Sequence, residues 1–299
     1  MPRILEYTAG DGDRARRVRD VIRQNFGLVS HDISRAKYRT QNGITVNGEP
    51  VFVDRILMPG DLVRVVLADE MSSKILPQEG PVEVVYEDED LICLNKPAGL
   101  VVHPSHGHYA DSLANYLAGY YSRKGEAHEI RTIGRLDKDT SGLVLFGKNR
   151  TAVSKLMDQA ERGERKKTYL ALACGIFTEN EGEVSVPIAR EFSGNIKRVA
   201  AEDGDAALTY YKILRQYRDF ALIEAEIATG RTHQIRVHMQ YIGHPLLGDA
   251  LYGSGPEKGM QRTALHSSRS LFLQPFTGEK ICLEAPLPED MKSCLQEEK

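Results

Sequence analysis

The feature that most limits what this chain can fold into is a change of character near residue 80. Ahead of it, short amphipathic stretches rich in arginine alternate with turn signals. From Pro81 onward, brief β-rich runs alternate with helical patterns. The 299 residues therefore read as a small unit followed by a larger one. The polar stretch MSSKILPQEG, residues 71–80, carries proline and glycine and reads as the connection. The expected division is 1–72 for the first unit, 73–80 for the linker and 81–299 for the second. An apolar content of 41% can fill the cores and argues against wholesale disorder.

In the first unit, Ala15, Val18 and Ile22 recur at helical spacing across 14–26, with Asp13 placed as N-cap. A second helix is expected from Ser30 to Thr40, ended by Asn42-Gly43. Ile44–Val46, the turn Asn47-Gly48 and Val51–Val53 read as a hairpin, and Met58-Pro59-Gly60-Asp61 turns into a strand, Leu62–Leu67. Between residues 14 and 39, eight Arg and Lys face two Asp, a net of +6 in a chain whose formal charge is −3, so the remainder sums to −9. Most charge runs are only a solvated helix face. Here the excess has one sign and falls on two neighbouring helices, which favours contact with RNA or DNA phosphates through Arg14, Arg16, Arg17, Arg19, Arg23, Arg35 and Lys37. With GITVNGEPV and PGDLVRV behind the basic helices, the unit resembles the small RNA-binding domain first known from ribosomal small-subunit protein four.

The four cysteines, Cys93, Cys174, Cys282 and Cys294, are widely spaced, which fits neither a disulfide scaffold nor a cysteine zinc site and suits a reducing cytoplasm. The first twenty residues lack the apolar core of a signal peptide, and no run approaches a membrane span. A soluble cytoplasmic protein with no membrane partner is expected, and a monomer. In the second unit, strands are expected at Val82–Tyr86 and Leu91–Leu94 around the acidic turn EDED, and at Leu143–Phe146, Thr168–Cys174 and Ala221–Ile227. A helix is expected over 151–160.

Two polar stretches could carry chemistry. The first is GRLDKDTSG, residues 134–142. Its D-x-D-x-S-G start fits half of a calcium loop, but Lys148 stands where that loop needs a bidentate Glu, and a strand replaces the exiting helix. Taken alone, an ordinary capped turn explains it as well as a catalytic loop does. The second, TGRTHQIRVH at 229–238, follows a strand and enters a helix marked by Ile235, Met239 and Ile242. Such a corner offers N–H groups and Arg231 to anions. His233 and His238 are spaced i,i+5, not the i,i+4 of a helical zinc pair, and His103, His106 and His108 lack nearby ligand partners. No metal is expected at either place.

GRLDKDTSGLVL, KKTYLALACG and TGRTHQIRVHMQYIGHPLLGDALYG occur here in the order seen in RluA/RluD-type pseudouridine synthases. EDEDLICLNKPAGLVVHP precedes them and ALHSSRSLFLQPFTGEKICLEAPLP follows. The resemblance covers roughly residues 82–290. It implies an α+β catalytic domain with a mixed, largely antiparallel sheet and flanking helices, preceded by the small RNA-binding domain. It also implies an enzyme that isomerises uridine in structured ribosomal or transfer RNA, with no cofactor.

By that resemblance, Asp137 is the essential carboxylate, acting as a nucleophile or as the base that removes a sugar proton. Either route suits an ionised Asp held near an arginine, and Arg236 matches the family's partner. Tyr169 matches the ring that stacks on the target base, repaying part of the cost of unstacking it. Arg135 matches a side chain that fills the gap left by the flipped base, and Leu265 an apolar wall. Lys166, Lys167 and Arg231 would meet phosphates. Three positions depart from the family's pattern: Gly134 and Gln274 stand where it usually has His, and Ser267 where it usually has Ala. None is the carboxylate, the ring or the arginine, and Gly134 is expected to alter how Arg135 is held. The alternatives are a non-catalytic RNA-binding protein that kept the fold, against which Asp137 is retained beside Arg236 and Tyr169, and an RNA N-glycosidase, which would release free uracil.

Overall fold

The structure is a computed structural model that describes residues 2–68 and 75–296. The amino-terminal unit contains β1 (Arg3–Thr8), α1 (Val18–Phe26), α2 (Ser30–Arg39), β2 (Ile44–Val46), β3 (Glu49–Pro50) and β4 (Leu62–Leu67). The strands form one antiparallel sheet in the order β1-β4-β2-β3. Val18, Val21 and Ile22 of α1 and Ile33 and Ala36 of α2 pack against Val46, Val63 and Val65 of that sheet.

Three expectations here need correction. The first helix starts at Val18, because Ala15 has φ 67° and Arg17 is the N-cap. Asp13 does not cap it: its carboxylate accepts from Tyr7 Oη at 2.7 Å, from Gly10 N at 3.0 Å and from Arg16 at 2.9 Å. The hairpin's second strand is Glu49–Pro50 rather than 51–53, since the chain then leaves the sheet to run back along the start of α1. There Val18 N donates to Arg55 O and Arg19 N to Val53 O, filling two of the donors that a helix start leaves open.

The boundary expected at 72–73 and the first two linker positions lie outside the described residues. Residues 75–80 are in neither helix nor strand, and Asn115 holds them by accepting from Gln78 N through its carbonyl and donating to Leu76 O through its amide.

The larger unit runs β5 (Val84–Glu87), β6 (Leu91–Lys96), α3 (Leu113–Arg123), β7 (Arg131–Thr132), β8 (Ser141–Gly147), α4 (Arg150–Glu161), β9 (Lys166–Cys174), β10 (Glu181–Val184), β11 (Ile188–Arg190), β12 (Arg198–Ala200), β13 (Thr209–Gln216), β14 (Phe220–Ile227), α5 (Gln234–Tyr241), β15 (Leu265–Leu273), β16 (Lys280–Glu284) and α6 (Glu289–Gln296). Its ten-stranded sheet has the order β10-β13-β14-β9-β15-β8-β6-β5, with β16 beside β15 and β7 beside β8, while β11 and β12 pair separately. Its strand pairs are antiparallel except β15 with β8, which run parallel over His266↔Ser141 and Ser267↔Gly142. Alternation along the strands splits the core between two faces. Ile92, Leu94, Val144 and Phe146 meet α3 and α5 on one side. Leu91, Cys93, Leu143 and Leu145 meet α4 on the other. All seven residues of β8 are buried, as befits a strand covered on both faces.

The amino-terminal unit docks on the α4 side. Phe276 packs against both cores. Lys155 of α4 donates to Phe26 O at the end of α1 (2.7 Å) and to Pro275 O (3.0 Å). Thr151 Oγ1 donates to Asp32 at 3.1 Å.

Candidate active site

The parallel seam decides where the polar loop emerges. β8 and β15 start side by side there, and the loop 137–140 leads into β8 at their common end. Gly142, at φ 105°, permits the approach: a Cβ there would lie 2.2 Å from Ser267 O. The loop is pinned from both sides. The Lys96 amine, wholly buried, donates to Pro97 O, Leu100 O and Lys138 O at 2.7–2.9 Å. Burial pulls its pKa down, yet three carbonyl acceptors need the three N–H bonds that only the ammonium has. Arg262, clamped by both oxygens of Asp290, donates to Asp139 O at 3.1 Å.

Beside this loop opens a cavity of about 520 Å³, lined among others by Arg135, Asp137, Lys167, Tyr169, Arg231, Arg236 and Leu265. These seven include every residue of the larger unit singled out in sequence for a catalytic or substrate role, apart from Lys166. Asp137 Oδ2 lies 3.3 Å from Arg236 NH1 and 3.8 Å from His233 Nε2. Tyr169 and Leu265, each 5% exposed, come from neighbouring strands and give the cavity an apolar wall. Burial, followed by the charge of Asp137, pushes the Tyr169 hydroxyl pKa up, so the ring stays neutral. Arg135 and Arg231 stand at the lip, and Arg231 Nε already donates to Ala206 O at 3.0 Å. Lys166 turns away to Glu226 at 2.9 Å.

Gly134 has φ 87°, and a Cβ on it would lie 2.8 Å from Lys167 Nζ. Gly134 and Lys167 are thus matched: the amine occupies the ground a side chain at 134 would take. Burial, then the charge of Arg165, lowers the Lys167 pKa to about 7. Gln274, the second departure from the family's pattern, holds a turn by accepting from Phe276 N and Thr277 N while donating to Asp90 at 2.9 Å.

Sequence reasoning missed Asp249. Fully buried, it grips Arg236 in two parallel bonds, Nε to Oδ2 at 2.7 Å and NH2 to Oδ1 at 2.8 Å, and accepts from Leu251 N and Tyr252 N. Burial works to raise its pKa, but the guanidinium and the two N–H groups outweigh that and hold it below the usual carboxylate range. Arg236 is therefore locked by Asp249 and reaches Asp137 with its remaining nitrogen. The only signal was an Asp in GDALYG, which reads as a turn residue. The corner before α5 is also less open to anions than expected, because Gln234 Oε1 already accepts from Arg231 N and Thr229 Oγ1.

His238 is a core histidine between Thr209 Oγ1 and Val186 O, while His233 faces the cavity. His103 meets Thr132 and His108 meets Asp111. Among the described residues, no group of three His, Cys, Asp or Glu is placed to hold a metal ion.

Residues 90–241 match the RNA pseudouridylate synthase family. Over 252 residues the chain is 39% identical to the uncharacterised RNA pseudouridine synthase YhcT of Bacillus subtilis, covering 84% of this chain and 83% of that one. The chain belongs to the RNA pseudouridine synthase family. This synthase is also 35% identical over 276 residues to the ribosomal large subunit pseudouridine synthase D of Pasteurella multocida, across 87% and 85% of the two chains. In fold it is similar to human RNA pseudouridylate synthase domain containing 1, with a TM-score of 0.59, 24% identity and 73% and 90% of the chains covered. The synthase is accordingly an isomerase that converts uridine to pseudouridine in RNA. No helix among its described residues is long and apolar enough to cross a membrane.

Proposed function

We propose that the chain modifies uridines of large-subunit ribosomal RNA and that Asp137 is the carboxylate acting on the ribose. The observation that carries this role is the seating of Asp137: it lines the cavity that Tyr169 and Leu265 also line, with one oxygen toward an arginine immobilised by Asp249. A uracil turned out of its helix stacks on the Tyr169 ring against Leu265, at about 1–3 kcal/mol of stacking. Asp137 then acts on the sugar, as nucleophile or as base toward a sugar proton. The N1–C1′ bond breaks, uracil turns, the C5–C1′ bond forms, and the proton lost from carbon five is balanced by one taken up at N1. The reaction rearranges one nucleotide, so it needs no co-substrate. Arg135 fills the gap in the RNA stack, and Arg231 and Lys167 meet phosphates. The sequence resemblance to enzymes named for the ribosomal large subunit supports that RNA over transfer RNA. A monomer in a reducing cytoplasm is part of this reading, and four free cysteines support that compartment.

The amino-terminal unit, two helices on a small antiparallel sheet, is read as an RNA-binding domain like that of ribosomal small-subunit protein four. Arg14, Arg17 and Arg23 are exposed there, while Arg16 is drawn to Asp13 at 2.9 Å, Arg19 to Asp20 at 3.8 Å and Lys37 over the Tyr38 ring at 4.7 Å. Arg35 leaves the set of phosphate contacts: its side chain is 9% exposed and turned to Asp32 and Thr151 at the seam between the units.

The test is pseudouridine mapping of cellular RNA with and without the protein, rescued by wild type or by Asp137→Asn. Large-subunit sites that disappear, return with wild type and stay absent with Asp137→Asn are expected. Rescue by Asp137→Asn would remove Asp137 from the chemistry, and free uracil in place of pseudouridine would make the activity a glycosidase.

A further inference from the structure

We infer that Oδ1 of Asp137 is the reacting oxygen and that neutral His233 is a positioning residue that, with Arg236, holds the other oxygen. This rests on the reading of Asp137 as the catalytic carboxylate. Both groups that approach Asp137 do so at Oδ2, Arg236 NH1 at 3.3 Å and His233 Nε2 at 3.8 Å. Among the described residues, no hydrogen bond or ion pair engages Oδ1.

Which hydrogen His233 carries follows from its other nitrogen. Nδ1 lies 2.8 Å from Tyr252 Oη, and Tyr252 Oη in turn accepts the N–H of Arg198 at 2.8 Å. The phenol therefore spends a lone pair on Arg198 and has one hydrogen to give. No other acceptor for it is in reach among the described residues, so it goes to Nδ1. A ring that accepts at Nδ1 carries its hydrogen at Nε2, the atom that faces Asp137. The backbone is bent to serve this. His233 has φ 60°, the left-handed region, at the N-cap of α5, and its side chain makes no cap bond there. Such a conformation is strained for a non-glycine residue, and here it turns the ring from the helix start into the cavity. The groups facing the ring are Asp137 from the loop, Arg236 from α5, Arg198 from β12, and Asp249 and Tyr252 from the segment after α5. Burial holds the histidine's pKa below its ordinary value, against the pull of Asp137, which keeps the neutral form in place near pH 7.

When substrate closes the cavity, an approach of under an ångström turns the 3.8 Å contact into a hydrogen bond. Oδ2 then has two donors and Oδ1 faces the sugar. Protonation of His233 would instead put a second cation beside the carboxylate and weaken it as nucleophile or base.

The test uses the full-length protein and RNA from cells lacking it, labelled with tritium at carbon five of uracil, so that each turnover releases tritium. His233→Phe is expected to lower the single-turnover rate about ten- to a hundredfold, the usual worth of one donor to a charged group, with RNA affinity unchanged. His233→Gln, which can offer an amide N–H to the same oxygen, is expected to recover much of the loss and to lack the fall in rate that wild type shows as the histidine takes up a proton. Because Phe and Gln are strained at positive φ, Tyr252→Phe gives a second reading with the backbone at 233 untouched. Without the phenol's hydrogen at Nδ1 the histidine protonates more readily, so the rate falls and that limb moves to higher pH. Wild-type rates in both His233→Phe and Tyr252→Phe would overturn the proposal, as would folded His233→Gln no faster than His233→Phe. Activity in Asp137→Asn would instead strike the reading on which it rests.

Discussion

Asp249 never faces the cavity, yet it sets where the arginine nearest the reacting carboxylate can be. Asp249→Ala would leave buried Arg236 with only the 3.3 Å pair to Asp137, and removing one partner of a buried ion pair costs about 3–5 kcal/mol. Urea unfolding should show a loss of that order. Asp249→Asn, which can still accept from Leu251 N and Tyr252 N, should lose less. Gly142→Ala is expected to be as damaging for a different reason. A methyl 2.2 Å from Ser267 O forces the seam apart, and both the melting temperature and the turnover should drop. At this scale legibility followed chemistry. Asp137 stood out because a charged run precedes a strand of Leu, Val and Phe and matches a family motif. Lys96 did not, because a lysine after LICLN looks like a strand's end, and only the folded loop reveals three carbonyls converging on its amine.

Helices and strands were legible in proportion to their periodicity. The pattern over 151–160 became α4 and the alternation at 168–174 became β9, each within two residues. β1 was not anticipated, since RILEYT mixes charged and apolar residues and needs β4 beside it to become a strand. The start of α1 was misplaced because Ala15 fits helical spacing but not the observed φ. Two predictions concern elements. Glu87 in β5 ties Tyr120 of α3 and Lys124, which caps that helix, to Lys148 before α4. Burial works to raise its pKa, but these three donors prevail and bring it to about 2. A carboxyl depressed in the folded state adds stability that is complete above its unfolded pKa, near 4.5, and fades as pH falls toward about 2. Unfolding measured across that window should steepen in wild type relative to Glu87→Gln. On α1 and the segment before it, Arg14→Gln, Arg17→Gln and Arg23→Gln should each reduce the slope of log affinity against log salt by about 0.7–0.9 if the residue meets a phosphate. An unchanged slope would show those side chains to be unused by RNA.

For the whole molecule, the sequence division near residue 80 was informative about composition and silent about contact. The two units share Phe276, and Lys155 ties the end of α1 to the turn at Pro275, so calorimetry should record one cooperative unfolding transition. Two separated transitions would mean that the seam carries little energy. For the same reason, deleting the first unit would uncover apolar surface on the α4 side, and point substitutions are the cleaner probe of RNA binding. The charge of −3 is likewise a property of the sum, since the +6 of residues 14–39 sits on the small unit. One feature of the sheet also bears on the order in which the protein comes into being. Its centre is β15, wedged between β9 and β8, although β15 follows every other strand of that sheet but β16 along the chain. While a ribosome is still translating the first 260 residues, Leu265 is missing from the cavity wall and β8 has only β7 on that edge, at Phe146 and Gly147, with its Ser141–Gly142 start unpaired there. The nascent chain can fold its first unit early, but it gains a complete active site only once β15 has been made and inserted.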